Sequence, residues 1–409
     1  MSTVASLPYE NLDFTPGDRR LIGQEQALGQ LKLMLQSGRL GHAYLISGPA
    51  GSGKKALALC MAELINGIDH LTNLGGHAFS KKSSWAMHPD IHVFVPLPGS
   101  KPDMAHLRER RDLLAKDPYE VTDFSLRPEL SEDGGSKNKN AFYAIDYYKQ
   151  EIQNAAFFKR NEGFRKVIVI SEIERMRKEA SNAFLKMLEE PPEGVMFILT
   201  TDNINMLLPT VISRCQLLRT RPFSEEELVH GLMTYDGFSR EDARFLSRVS
   251  AGNYGVARFY DVEKLRQNRA EILSFLRASY KMDAGVLLDL GQQWTKTYNK
   301  EALCGIIDLL EVLVRDLAYY RASREEALIT NVDQIEVIKK FCSALGSARL
   351  DEMQQLFTPF RSMIQQNVNP KLVFTVLAFR MARLMRGKNP VVPQHKPWLH
   401  LPAFDEHSA

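Results

Sequence analysis

The chain has 409 residues, 44% of them hydrophobic and 25% charged, enough for two or three domains with the balance of an ordinary globular protein. No stretch approaches the roughly 20 apolar residues of a membrane span, and MSTVASLPYENLDFTPGDRR lacks the basic-then-apolar order of a signal peptide, so a cytoplasmic protein without membrane partners is expected. The formal charge of +3 neither demands nor excludes nucleic acid; DNA contact would have to come from a local basic surface or from partner subunits.

Residues 19–65 read as helix, buried strand, glycine-rich loop and helix. Leu28, Leu31, Leu33, Met34 and Leu35 give a helical apolar face, and His42 to Ile46 form a short apolar run ending at Gly48. Helix resumes at Ala56 to Ala62, the layout of a phosphate-binding α/β unit. From about Pro96 to Asn140 the chain turns polar: Lys101 to Asp117 is highly charged and Ser131 to Asn140 is rich in Gly, Ser and Lys. An insertion is expected there, a solvated loop with a disordered tip, although its basic residues could touch DNA. Val167-Ile168-Val169-Ile170 and Val195 to Leu199 are runs of buried parallel strand, separated by a helix through Ala180, Phe184, Leu185 and Leu188 that ends at Pro191-Pro192. Leu217 to Thr220 suits one more short strand. Strands alternating with helices imply a parallel sheet covered on both faces.

Beyond Pro222 the pattern is helical only. Ser224 through Arg258 suits a small helical group, opened by Ser224 as N-cap before Glu225, Glu226 and Glu227. Glu263 to Gly387 is helical throughout, with one apolar stripe of Leu303, Ile306, Ile307, Leu310, Leu313 and Leu317 and another of Leu372, Val373, Val376, Leu377 and Leu384. The Pro- and His-bearing tail after Lys388 has no core-forming pattern. The division expected is 1–222, 223–262, 263–387 and a tail, 388–409.

Gly48-Pro49-Ala50-Gly51-Ser52-Gly53-Lys54-Lys55 fits the first seven positions of the phosphate loop G-x-x-x-x-G-K-[ST]. Its glycines free backbone N–H groups to converge on phosphate oxygens, Lys54 would reach the terminal phosphates, and the next helix points its positive end at them. The eighth position normally gives a hydroxyl to Mg²⁺; Lys55 cannot ligate a metal and adds charge where the cation belongs. A retained turn with no nucleotide therefore stands beside nucleotide binding as a reading. After Val167 to Ile170, Ser171 occupies the position of the acidic residue that orients the Mg²⁺ shell, while Glu172 remains at that of the water-activating glutamate. Both departures fall at the metal, so Mg-dependent hydrolysis is not expected and Glu172 would be vestigial. Cys60, Cys215, Cys304 and Cys342 have no paired spacing and suit reduced, packed thiols.

Past this strand the residues resemble one family. Ser181 to Pro192, read SNAFLKMLEEPP, resembles the N-A-L-L-K-x-L-E-E-P-P signature of bacterial DNA clamp loader subunits. Thr200-Thr201-Asp202, Pro209 and Ser213-Arg214-Cys215 resemble their sensor-1 segment and S-R-C motif, and Leu21-Ile22-Gly23-Gln24 and Gly41 to Leu45 also fit. The resemblance runs from about residue 20 to 260, interrupted by the insertion, and is specific because several unrelated short motifs keep the family's order. It implies an α/β P-loop (AAA+) domain with a parallel sheet, a small helical lid and an all-helical C-terminal collar.

The family's motor subunits have intact phosphate-loop and acidic motifs and an arginine in a G-x-x-R segment; here Gly255 stands in its place, within Ala251 to Ala257. The resemblance is then to the stator-like kind of subunit, which keeps S-R-C but does not drive hydrolysis. It implies that Arg214 completes a neighbour's ATP site, that Thr201 joins Gly48, Gly51, Gly53, Lys54 and Lys55 around any bound nucleotide, and that the partners are other clamp loader subunits, the sliding clamp and, through the complex, primed DNA. Arg214 pairing only within its own domain is the plainer alternative. The four-cysteine zinc module of many family members is missing, its place taken by Leu71 to Trp85, so zinc is not expected. An ATP-hydrolysing motor of the same complex and a stand-alone AAA+ ATPase are the rival readings, and magnesium-dependent turnover by the isolated chain would favour them.

Overall fold

Five short runs pair side by side into one sheet: β1 (Ala43–Ser47), β2 (Ile91–Phe94), β3 (Lys166–Ile170), β4 (Val195–Thr201) and β5 (Gln216–Arg219). Their spatial order is β2-β3-β4-β1-β5 and every neighbouring pair is parallel. In the central register Tyr44 of β1 stands opposite Ile198 of β4 on one side and Gln216 of β5 on the other. Every residue of β3 and β4 is buried, as expected of strands covered by helices on both faces. This computed structural model describes residues 13–17, 21–38, 40–99, 104–122, 141–250, 252–298, 300–326, 329–331 and 334–388. It divides into two compact units, Met1–Tyr260 and Asp261–Ala409.

In the first unit, α1 (Glu25–Gln36) and α2 (Lys54–Ile65) flank β1. Every residue of α2 except Lys55 is buried, which fixes the helix that carries the phosphate loop. The expected insertion is only partly a loop. Met104–Lys116 forms a helix, α3, and buries Leu107, Arg110 and Leu114. Those residues recur at helical spacing, a periodicity hidden by the surrounding charge. The Gly/Ser/Lys tip, 131–140, lies outside the described residues, as does the tail 389–409. Strand β2 carried no sequence expectation; Ile91, Val93 and Phe94 give too short an apolar run before Pro96. Its far end is tied down by stacked Tyr143 and Tyr147, whose hydroxyls donate to Phe94 O at 3.0 Å, Ser171 O at 2.7 Å and Val95 O at 3.1 Å.

Helix α4 (Lys178–Glu189) buries Ala180, Phe184 and Leu188 and leads into β4; α5 (Pro209–Ile212) leads into β5. No strand follows Arg219 among the described residues. Three helices close the unit: α6 (Glu225–Tyr235), α7 (Arg240–Val249) and α8 (Tyr254–Ala257). Ser224 and Glu227 form a reciprocal capping box, Ser239 caps α7 and Asn253 caps α8. Arg221 grips the Glu227 carboxylate with two bonds of 2.7 Å, which aims the first of these helices.

The second unit holds α9 (Val262–Lys281), α10 (Ala284–Thr297), α11 (Lys300–Ser323), α12 (Ile335–Ala344), α13 (Leu350–Gln365) and α14 (Pro370–Met385). The stripe from Leu303 to Leu317 on α11 is buried throughout. The α14 stripe is buried at Val373, Leu377 and Leu384, but Leu372 is 59% exposed, because in the same turn the helix buries the adjacent Val373 and Phe374 and turns Leu372 away from that face. Phe275, Trp294 and Phe374 make an aromatic knot with centroids 4.9–6.2 Å apart, and Trp294 donates its indole N–H to Glu271 at 2.6 Å. Among the described residues no helix is long and apolar enough to cross a membrane.

Candidate functional site

The phosphate loop runs from the end of β1 into α2, between β4 and β5. Gly51 and Gly53 sit at φ +70° and +80°, the left-handed region that favours glycine. A Cβ on Gly51 would fall 1.7 Å from Asn253 Oδ1, and one on Gly48 2.1 Å from Thr220 Oγ1, so the loop is pressed from two sides. Gly48 N–H donates to Thr201 O at 3.3 Å. Buried Gln24 ties the loop to the chain after β5, donating to Ser52 O at 3.0 Å and Arg221 O at 2.7 Å. These contacts give a structural purpose to the Ile22-Gly23-Gln24 segment.

Lys54 is buried, and its ammonium is already engaged. It donates to Pro49 O, lies 3.3 Å from Ser52 Oγ and pairs with Asp202 at 2.8 Å. Lys55 pairs with Glu172 at 2.9 Å and donates to Thr122 Oγ1 at 2.9 Å. Glu172 also takes Arg175 at 2.9 Å, and its backbone sits at φ +52°, a conformation uncommon for a non-glycine residue. Burial alone would raise its carboxyl pKa, but Lys55 and Arg175, with Lys54 beyond, outweigh that and hold it below the ordinary value.

Ser171 is buried, with its hydroxyl turned to Phe94 O at 3.3 Å. A divalent cation at this position would meet the Lys55 ammonium and find no carboxylate from Ser171; the side chains present do not fit Mg²⁺. No group of three or more His, Cys, Asp or Glu able to hold a metal occurs among the described residues.

The pocket beside the loop has a volume of about 110 Å³. Gly51, Gly53, Lys54, Lys55 and Glu172 line it, together with Thr200 and Asp202 rather than Thr201. Alternation along β4 explains the swap: Thr201 points the other way, fully buried, and its hydroxyl accepts Asn203 N–H at 3.2 Å. Gly255 lines the pocket without a side chain. Sequence reasoning missed Asp202, Asn253 and the insertion residues Pro118 to Val121, which also line it. Asp202 could have been found from the strand's period; nothing in the sequence marks the insertion residues.

Arg214 follows α5 and is one-third exposed. Its guanidinium donates to Glu189 at 2.8 Å and to Thr210 O at 2.9 Å, with Ser213 Oγ at 3.5 Å. None of these partners lines the phosphate-loop pocket, so Arg214 is not part of its own domain's site. Neighbouring Cys215 is packed inward, and burial pushes its thiol up to about 12.

A parallel β2-β3-β4-β1-β5 sheet, a phosphate loop between β1 and α2, and a helical group leaning on that loop define a P-loop domain of the AAA+ class. A sequence model of the family described as "DNA polymerase III, delta subunit" matches residues 23–224, and its C-terminal counterpart matches residues 263–383. The chain belongs to this DNA polymerase III subunit family. It is 23% identical over 353 residues to the DNA polymerase III subunit delta′ of Bacillus subtilis, covering 85% of this chain and 92% of that protein. It is 27% identical over 210 residues to the gamma subunit of Buchnera aphidicola, covering 51% of this chain and spanning about half, 46%, of that protein. Among solved structures, a gamma subunit-related protein of Thermotoga maritima is similar over 88% of this chain and 100% of its own, with 16% identity and a TM-score of 0.43.

Proposed function

We propose that the chain is the stator-like, delta-prime-type subunit of a bacterial clamp loader, assembling with motor subunits to place the sliding clamp on primed DNA. The observation that carries the reading is the split between its two sites. At its own phosphate loop, Lys55 and Glu172 neutralise each other where a metal would sit and Ser171 supplies no carboxylate. Arg214, by contrast, stands at the surface outside that pocket, on a motif suited to completing another subunit's site. A guanidinium there can stabilise charge on a transferring phosphoryl group with a two-pronged geometry. The domain scheme that goes with this function is an AAA+ domain to about 222, a lid over 223–262 and an oligomerising helical collar over 263–387. The reading places the protein in the cytoplasm, acting on DNA only within the complex.

The test is reconstitution. Motor-type and delta-type subunits are mixed with and without this chain, and clamp loading on primed DNA is followed. A defined hetero-oligomer whose loading depends on this chain supports the proposal. No association, or magnesium-dependent ATP turnover by this chain alone, contradicts it.

A further inference from the structure

The insertion does more than cover the sheet. At the end of α3, Tyr119 is buried with its ring edge against Gly53; a Cβ on that glycine would lie 3.0 Å from Tyr119 Cε1. The ring meets Tyr254 edge-on at 5.1 Å and Phe223 at 6.1 Å. Its hydroxyl accepts the Ile22 N–H at 2.7 Å and lies 3.4 Å from the Ile22 carbonyl, to which it can donate. A flat ring between apolar walls, its polar edge read by a backbone N–H and C=O, is the environment a nucleotide base requires.

Three residues further on, Thr122 takes the Lys55 ammonium at 2.9 Å while Arg110 holds the Thr122 carbonyl at 2.9 Å. The segment is also clasped to the helical group. Arg258 bridges Asp117 and Asp236, the latter at 2.7 Å, and Tyr254 donates to the same Asp236 at 2.6 Å. The remaining cavity of about 110 Å³ is well below the roughly 300 Å³ at which small-molecule sites begin.

We infer that residues Pro118–Thr122 are a built-in substitute for nucleotide: Tyr119 fills the position of a base, and Thr122 with Lys55 closes the phosphate and metal end. The chain's own insertion then holds the helices of 225–257 against the phosphate loop, a task that bound nucleotide would otherwise perform. Nucleotide and Tyr119 exclude each other at this site. The inference is independent of Arg214, so failure of either leaves the other standing.

The test is equilibrium dialysis of the full chain against radiolabelled ADP and ATP without Mg²⁺, comparing wild type with Tyr119→Ala and checking folding by circular dichroism. Wild type should show no saturation up to about 1 mM, and Tyr119→Ala should bind at least about tenfold more tightly. If Tyr119→Ala does not fold, Tyr119→Phe decides by the same readout: it keeps the ring but loses both bonds to Ile22, and should bind several-fold more tightly than wild type. An affinity equal to wild type in the folded variant, whether both bind or neither does, overturns the inference.

Discussion

Lys54→Ala separates a retained turn from a working nucleotide site, because the structure sets different magnitudes for stability and activity. The Lys54 ammonium is satisfied by Asp202 at 2.8 Å and by the loop itself. Asp202 is 39% exposed, so once abandoned it can hydrate, and the lost pair costs about 0.2–1 kcal/mol. The buried methylene stem adds roughly 2 kcal/mol at about 0.8 kcal/mol per methylene, offset by about 1.5–2 kcal/mol of side-chain entropy no longer lost on folding. The net cost is on the order of 1 kcal/mol, a fall of a few degrees in Tm. On the proposed function this site is not a motor, so clamp loading by the reconstituted complex should stay within a few-fold of wild type. Scanning calorimetry and a steady-state loading assay on primed DNA give the two readouts. A loading loss of tenfold or more with intact assembly, about 1.4 kcal/mol on the barrier, would refute the reasoning.

Glu172→Gln removes the one carboxylate that Lys55 and Arg175 share and should destabilise the chain by about 1–3 kcal/mol at neutral pH in denaturant titrations. Because the folded-state pKa of Glu172 is depressed, that stabilisation is present above the unfolded value and lost as pH falls; the difference from wild type should shrink below about pH 4. His92 acts in the same direction, from a group that burial holds in its neutral form. Burial, with Lys166 and Arg111 nearby, lowers its pKa to about 4, so between that pH and about 6.5 the unfolded chain binds a proton that the folded chain does not. Stability should fall by on the order of 2 kcal/mol across that window as pH drops, and His92→Phe should flatten the profile; an unchanged profile means His92 is not the titrating group. Gly51→Ala forces a side chain into φ +70° and onto Asn253, and should cost about 1–3 kcal/mol and loosen the α8 cap, read as faster amide exchange over 253–257.

Much of this architecture was legible because the central strands are pure apolar runs. Val167 to Ile170 and Val195 to Leu199 could be placed from hydrophobicity alone, and the wide stripe of α11 from its period. Edge strand β2 was not legible, since its stability comes from β3 and from the tyrosines that pin its end. Helix α3 was masked by charge, because only Leu107, Arg110 and Leu114 face inward, and one of these is itself charged. At the site, the phosphate loop and the departures at Lys55 and Ser171 were readable as deviations from a pattern. Of the partners that explain them, Asp202 lies on the period of its strand, whereas Thr122 reaches Lys55 from the insertion, and only the fold brings it there. Thr201 does not line the pocket, whereas Thr200 and Asp202 on either side of it do, because alternation along the strand decides which side chains face that way.

The central claim is that Arg214 serves a neighbour's site, and the direct measurement is ATP turnover by the reconstituted complex with clamp and primed DNA. Arg214→Ala removes a partly exposed ion pair with Glu189, so the chain should lose no more than about 1 kcal/mol of stability and still assemble. An arginine finger contributes on the order of 10³–10⁵ in rate at a single site, and other intact sites in the ring mask part of that loss. A marked fall in turnover is expected, poorly rescued by Arg214→Lys, whose point charge lacks the two-pronged geometry. Unchanged turnover in an intact Arg214→Ala complex would contradict the account and leave Arg214 as the surface partner of Glu189.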